Sequence, residues 1–129
     1  MYLLDTDTCI EVLRGREGVV TRMQLHSPVD LAIASMTLAE LWFGALRSGG
    51  GPAAFEKVKR FMSPGIAVFP FDEAAAYRYA EIRNAVRAQP IGTQDMVIAS
   101  VGLARGLTIV TANLRKFSRV PGLTVESWI

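Results

Sequence analysis

The chain has 129 residues, of which 50% are hydrophobic and 20% are charged. This composition excludes a disordered chain and predicts a single globular domain over residues 1–129. Lys and Arg number 14 and Asp and Glu number 12, so the net charge of +2 permits a nucleic-acid partner without requiring one. Because Cys9 is the only cysteine, an internal disulfide is excluded, which fits a reducing compartment.

The chain carries no apolar run that approaches the ~20 residues needed to cross a membrane. Its first residues also lack the charged and then apolar layout of a signal peptide. We therefore expect a cytoplasmic protein.

Short apolar runs alternate with segments of helical periodicity. The first run is followed by a helix that Gly15 ends and by a second short helix that Ser27 and Pro28 end. A hydroxyl or carboxyl of residues 6–8 is expected to cap the first of these helices. The predicted strands are Tyr2–Leu4, Leu31–Ala34, Ile66–Phe69, Leu107–Val110 and, at an edge, residues 123–126.

Longer helices are predicted between the later strands. One opens at Ser35 and runs to about residue 47, and the next begins at Pro52, a residue suited to a first helical turn. Another follows Asp72 as its cap, and the last carries Asp95 in its first turn and ends near Gly106.

Strands that are separated by helices pair in parallel through right-handed crossovers, and helices then cover both faces of the sheet. The predicted fold class is therefore α/β, a three-layer α/β/α sandwich with a mainly parallel sheet of four to five strands. The carboxyl ends of such strands share one edge, and ligands bind in the crevice there.

Three acidic residues are expected at that edge: Asp5 after the first strand, Glu40 just past the second, and Asp95 at the start of a late helix. Each also has a purely structural explanation. Asp5 is a favoured helix cap, and the helix dipole favours Asp95 in a first turn. Thr37 and Glu40 match the capping-box pattern, in which the glutamate bonds back to the backbone of the cap.

The three carboxylates would repel one another by a few kcal/mol per pair at ~4 Å and an effective dielectric constant of about 20. A divalent, oxygen-preferring cation removes this cost, and Mg²⁺ or Mn²⁺ suits such ligands. His26 is isolated in the sequence and Cys9 is expected in the core, so no zinc site is predicted.

Four segments resemble the four motifs of PIN-domain ribonucleases and, more narrowly, those of VapC-type toxins from bacterial toxin–antitoxin pairs. The segments are Leu3–Asp7, Ser35–Leu41, Pro90–Ala99 and Ile109–Asn113, with Phe117 beyond them. The resemblance covers nearly the whole chain, and the four motifs in this order are far more specific than any one of them.

The resemblance implies a Mg²⁺- or Mn²⁺-dependent endoribonuclease that inhibits translation by cleaving RNA. It implies Asp5, Glu40 and Asp95 as metal ligands, and Thr111 and Asn113 as polar residues that order the site. It also implies a homodimer and a cognate VapB-type antitoxin, which blocks the site and, in complex with the toxin, represses their operon by binding operator DNA.

Lys116 departs from the family pattern, which often has an acidic residue just before the phenylalanine. A lysine there cannot bind metal, so the number of metal ions stays open, as does a partial replacement of the acid by Asp7. Lys116 is expected either to contact phosphate or to be a solvated surface residue. Other candidates for contacts with the RNA backbone are Arg14, Arg16, Arg105, Arg115 and Arg119.

Trp42 and Phe43 are adjacent on one predicted helix, so they cannot both face the core. We expect one of them in the core and the other in contact with an antitoxin helix or a second protomer.

Two alternatives remain at this stage. Asp5 and Asp7 after an apolar strand also fit the start of haloacid-dehalogenase-like phosphatases, with Asp5 as nucleophile and Asp7 as acid, although the later acids of that family are not evident. A PIN-like module that binds RNA or protein without cleavage is the second, and Lys116 is its best support.

Overall fold

The computed structural model describes all residues of the chain, 1–129. Five strands form one parallel sheet of order β3-β2-β1-β4-β5. The strands are β1 (Tyr2–Leu4), β2 (Leu31–Ala34), β3 (Ala67–Phe69), β4 (Thr108–Val110) and β5 (Thr124–Glu126). The helices are α1 (Thr6–Leu13), α2 (Glu17–Gln24), α3 (Ser35–Arg47), α4 (Pro52–Met62), α5 (Glu73–Ala85), α6 (Thr93–Arg105) and α7 (Leu114–Phe117).

The core lies on both faces of the sheet. Successive strand residues point to opposite faces, so Leu3 and Ile109 belong to one apolar cluster and Leu4 and Val110 to the other. Residues of α5 and α6 complete the first cluster, and residues of α1, α3 and α4 complete the second. This arrangement confirms the predicted three-layer α/β/α sandwich.

The strand order reverses between β1 and β4, which are neighbours at the centre of the sheet. The backbone N–H of Asp5 donates to the carbonyl of Val110 at 3.0 Å, and that of Thr111 donates to the carbonyl of Glu126 at 3.0 Å. Asp5 and Thr111 therefore leave the ends of adjacent strands at the point where open α/β sheets have their binding crevice.

Helix α6 lies close to the sheet at Gly102, which is buried. A Cβ atom there would come within 2.5 Å of Ile109 Cδ1 and 3.5 Å of Leu3 Cδ2. Because real Cβ atoms do not approach other atoms this closely, an alanine at position 102 would require the end of the Ile109 side chain or α6 itself to move. The same helix carries Asp95 in its first turn.

The predicted helices and strands agree with the structure to within a few residues at their ends. The short helix α7 was not predicted. Four residues are too few to show a helical period, and only the cap at Asn113, whose Oδ1 accepts from the N–H of Lys116, marks its start.

The structure decides between the predicted helix caps. Helix α1 is capped by Asp5, one of the two expectations for it, and not by residues 6–8, which lie inside its first turn. The predicted capping box of Thr37 and Glu40 is absent, because β2 runs directly into α3 and leaves Ala34, which has no side-chain acceptor, at the cap position.

The remaining side-chain predictions can be compared directly. Cys9 is fully buried, as predicted. Trp42 stacks on Phe55 with ring centroids 5.6 Å apart, whereas Phe43 is 55% exposed, so only one of the two adjacent aromatic residues packs inward. No helix is both long and apolar enough to cross a membrane.

Candidate active site

Asp5 is the most deeply placed acid at the carboxyl edge of the sheet, with only 4% of its surface exposed. Its Oδ1 accepts the backbone N–H of Thr8 at 2.9 Å, and the Thr8 hydroxyl donates to the Val110 carbonyl at 3.2 Å. Burial raises the pKa of the Asp5 carboxyl, while hydrogen bonds from Thr111 and Thr8 act in the opposite direction. A carboxylate in this position is therefore costly unless a cation lies nearby.

Thr111 and Asn113 form the wall next to Asp5. Thr111 is fully buried, and its Oγ1 accepts the backbone N–H of Asn113 at 3.0 Å. The Asn113 side chain in turn accepts the N–H of Lys116 at 3.1 Å and caps α7. The predicted role of Thr111 and Asn113 as ordering residues has this geometric basis: one shapes the turn after β4 and the other starts the helix that follows.

Asp95 forms an ion pair with Lys116. The Lys116 Nζ lies 2.8 Å from Asp95 Oδ2, and the two side chains are 34% and 29% exposed. The pair joins the first turn of α6 to α7, so it links the two segments that flank β4. Lys116 is therefore not a free surface lysine, because its ammonium is paired with Asp95.

Glu40 lies on α3, on the far side of the crevice. Its Oε1 accepts the side-chain amide of Gln94 at 2.7 Å. Because Gln94 directly precedes Asp95 on α6, this bond joins the second acid to the third. A further bond, from the Thr6 hydroxyl to the buried Thr37 hydroxyl at 3.2 Å, joins α1 to α3.

Asp5, Thr111, Asn113, Lys116 and Asp95 form a chain of polar contacts, and the bonded pair of Glu40 and Gln94 adjoins it because Gln94 directly precedes Asp95. These seven residues are called the polar network. All five site residues predicted from the sequence belong to it. Lys116 stands out in the sequence as a departure from the family motif, but its bond to Asp95 does not. Gln94 is part of the third motif, and the motif assigns it no role. Sequence separation hides both bonds, which span 21 and 54 residues.

The donor atoms of this network suit a hard divalent cation, because its acids are carboxylates and neither His nor Cys is among them. The side chains as arranged do not form a group of three or more His, Cys, Asp or Glu that would hold a metal ion. Glu40 and Asp95 are instead engaged by Gln94 and Lys116. The predicted metal set of Asp5, Glu40 and Asp95 therefore fits by donor chemistry, and its assembly stays a prediction.

The predicted RNA-tracking arginines differ in their surroundings. Arg14 and Arg16 both pair with Glu11, each at 3.3 Å. Arg105 pairs with Asp72 at 3.3 Å and lies over the ring of Phe69. Arg115 and Arg119 make no ion pair, and both lie in the α7 region next to Lys116.

An apolar groove opens beside Glu40 between α1, α3 and α4, with a volume of about 680 Å³. Its walls combine apolar side chains with three cations; they include Ile10, Leu13, Leu41, Phe43, Val58, Arg14, Arg47 and Lys57. The groove thus joins the polar network to the exposed ring of Phe43.

Residues 2–123 match the PIN domain family, the class that this fold and this acidic edge define. Over 130 residues the chain is 36% identical to the tRNA(fMet)-specific endonuclease VapC of Salmonella typhimurium, with 98% of this chain and 97% of the relative covered. It is 30% identical to Ribonuclease VapC2 of Rickettsia felis, with 99% and 98% covered.

Two solved structures have the same fold over almost the whole length. VapBC2 from Rickettsia felis, bound to a DNA fragment from its promoter, gives a TM-score of 0.91 at 28% identity, with 99% of this chain and 98% of that chain covered. DNA-bound VapBC from Salmonella typhimurium gives 0.91 at 35% identity with the same coverage. The chain therefore belongs to the PIN-domain family, and within it to the VapC ribonuclease toxins of toxin–antitoxin systems.

Membership of this family sets the phosphatase alternative aside. The geometry is consistent with that outcome, because Asp7 is exposed on the first turn of α1 and makes no bond to the polar network.

Proposed function

We propose that this chain is a Mg²⁺- or Mn²⁺-dependent endoribonuclease whose site residues are Asp5, Glu40, Asp95, Thr111 and Asn113. The observation that carries the proposal is the polar network, which connects acids from α1, α3 and α6 at the switch point of the sheet. Hydrolysis by water would leave a 5′-phosphate and a 3′-hydroxyl on the products.

Asp5, Glu40 and Asp95 would hold the ion. When bound, it would lower the pKa of a water ligand and stabilise negative charge on the phosphate. Burial raises the pKa of the Asp5 carboxyl and so opposes its ionised form, and a cation bound there would offset this cost. The Mg²⁺ or Mn²⁺ preference rests on the oxygen donors and on the family resemblance.

The protein's own contribution is orientation. The N–H of Thr8 fixes one oxygen of Asp5, and Gln94 fixes one oxygen of Glu40. Acids that are held in place need not be ordered when RNA binds, so the entropic cost of reaching the reactive geometry is smaller. Glu40 and Asp95 are the candidates for accepting the proton of the attacking water.

A transfer RNA is the substrate class to test first. The relative at 36% identity is named a tRNA(fMet)-specific endonuclease, and its whole length aligns with this chain. We propose cleavage of initiator tRNA, with exposed arginines such as Arg115 and Arg119 contacting the phosphate backbone.

We further propose that a cognate VapB-type antitoxin neutralises the toxin, and that the complex binds operator DNA. The solved relatives are VapBC assemblies on DNA. In this chain the apolar groove beside Glu40, with the exposed Phe43 in its wall, suits an apolar segment of such a partner. A homodimer and a cytoplasmic location complete the proposal.

The test compares Asp5→Asn with Asp7→Asn as a matched control from the same segment. Purified protein, free of antitoxin, is incubated with end-labelled initiator tRNA in Mg²⁺, in Mn²⁺ and in EDTA. We expect cleavage only with a divalent ion, a loss of about 100-fold or more for Asp5→Asn, and a small loss for Asp7→Asn.

Two outcomes would contradict this proposal. Cleavage that persists in EDTA would exclude a metal-dependent reaction. RNA that binds without being cut in either metal would favour the non-catalytic binding module.

A further inference from the structure

Lys116 carries an inference that goes beyond the acids of the site. Its Nζ donates to Asp95 Oδ2 at 2.8 Å, which is the only hydrogen bond that this ammonium makes in the protein. A lysine has three N–H donors, so two remain available. Because the side chain is 34% exposed, it is open to contact with a ligand.

The position of this ammonium is well defined by its surroundings. Lys116 lies on α7, which is capped by Asn113 and anchored by Phe117, a residue only 1% exposed. The ion pair with Asp95 then directs the long side chain toward the acids. A lysine that is already ordered loses less conformational entropy when it contacts a ligand.

The charges of the site point to the kind of ligand. Asp5, Glu40 and Asp95 together carry three negative charges when ionised, and an RNA phosphate brings one more. One divalent ion and the Lys116 ammonium together balance the three acids, whereas the ion alone leaves an excess of negative charge that repels phosphate.

We propose that Lys116 is a substrate-binding residue: its free N–H donors contact a phosphate oxygen of the RNA, and its charge takes the place of a second metal ion. This inference rests on the proposed ribonuclease function. It predicts that the site binds a single divalent ion and that Lys116 favours RNA while it opposes metal binding at Asp95.

The test uses Lys116→Met, with Lys116→Arg as the charge-retaining variant. Lys59→Met is the matched control, because Lys59 is an exposed lysine on α4 that pairs only with Glu56. RNA affinity is measured by fluorescence anisotropy with labelled initiator tRNA in EDTA, where the RNA stays intact. Mn²⁺ binding is measured separately by titration calorimetry without RNA.

Lys116→Met should bind the RNA about five-fold more weakly, and its salt dependence should fall by roughly one unit of slope. It should bind Mn²⁺ several-fold more tightly, because a nearby positive charge is lost and an oxygen of Asp95 is freed. Lys116→Arg should keep most of the RNA affinity, and Lys59→Met should match the native chain in both measurements.

Weaker RNA binding together with tighter Mn²⁺ binding in Lys116→Met distinguishes this role from a merely structural one. If Lys116 only held Asp95 in place, its loss would weaken Mn²⁺ binding, and that result would overturn the inference. RNA affinity and salt slope equal to those of the native chain would overturn it as well. A native chain that neither binds nor cleaves RNA would instead refute the ribonuclease proposal itself, and thermal melts of all variants identify any that fail to fold.

Discussion

The two ends of β1 lie in different surroundings. At its amino end, Tyr2 packs against His26 and Trp128, with ring centroids 4.6 and 5.6 Å away, and the His26 and Trp128 rings stack at 5.1 Å. At its carboxyl end, Asp5 lies buried among hydrogen-bonding groups. The first end joins the two termini of the chain through apolar contact, whereas the second retains a carboxyl whose charge opposes folding.

The amino end of β1 contributes mainly to stability, and its carboxyl end contributes mainly to the chemistry of the site. The aromatic cluster of Tyr2, His26 and Trp128 removes large apolar surfaces from water, which stabilises the fold without any demand on geometry at the site. The polar network contributes little apolar burial, and its ion pair of Lys116 and Asp95 is about one-third exposed. Substitutions at the two ends should therefore separate stability from activity.

The largest effect on stability is expected for Trp128→Ala. Trp128 is 3% exposed, and its Nε1 donates to the Glu126 carboxylate at 2.8 Å, so its removal leaves a cavity and takes away this hydrogen bond. We expect a loss of about 3 kcal/mol in the free energy of unfolding and about 10 °C in Tm. Trp128→Phe, which keeps a ring, should lose less.

Chemical denaturation measures this loss, and the cleavage rate of the folded fraction measures its effect on the site. A rate within a few-fold of the native value is expected. If Trp128→Ala kept its stability but cleaved RNA far more slowly, the two ends of β1 would be coupled, and stability and activity would not be separate.

A smaller effect is expected for Gln94→Ala, and it should fall on the cleavage rate and not on stability. This change removes the bond that holds Glu40 and should lower the cleavage rate about 10-fold, with little change in stability because both side chains are partly exposed. Gln89→Ala in the loop before α6 is the matched control, since the Gln89 side chain makes no hydrogen bond. Equal rates for the two variants would show that Glu40 needs no support.

The smallest effect is a pH dependence of stability at Asp5. Because the folded pKa is raised above the ordinary value of 3.8, the native chain holds this proton to higher pH than the unfolded chain does. The resulting contribution to stability is present below the unfolded pKa, and it is lost as the pH rises through the folded pKa. Above that point the native chain bears the full cost of the buried charge.

Asp5→Asn removes this cost and keeps an oxygen that can accept the N–H of Thr8. In EDTA the variant should therefore be more stable than the native chain at neutral pH, and the difference should shrink as the solution is acidified toward the unfolded pKa. Denaturation curves at several pH values test this. Parallel pH profiles for the two proteins would contradict a buried, destabilising carboxyl.

Much of the fold could be predicted because its signals are local. Buried parallel strands are continuous apolar runs, as in Leu31–Ala34, and Asp72 caps α5 as the sequence suggests. The cap prediction at Thr37 failed, because no loop separates β2 from α3 and the pattern alone cannot show this.

The residues of the site could be predicted from the sequence, but the hydrogen bonds between them could not. The sequence positions of Asp5 and Glu40 after strands, and of Asp95 at a helix start, indicated one shared edge, and the resemblance indicated their role. The bonds of Lys116 to Asp95 and of Gln94 to Glu40 depend on how helices cross the sheet, which no spacing in the sequence encodes.

Gly102 has a consequence for how this site can change over evolution. A larger side chain would press on the Cδ1 end of Ile109, and where that end does not turn aside, α6 shifts and carries Asp95 and Gln94 with it. A single methyl group placed deep in the core can thus alter the alignment of acids at the surface while leaving every acid unchanged. Inactivation of the toxin therefore has a route through the interior that a survey of its carboxylates alone would overlook.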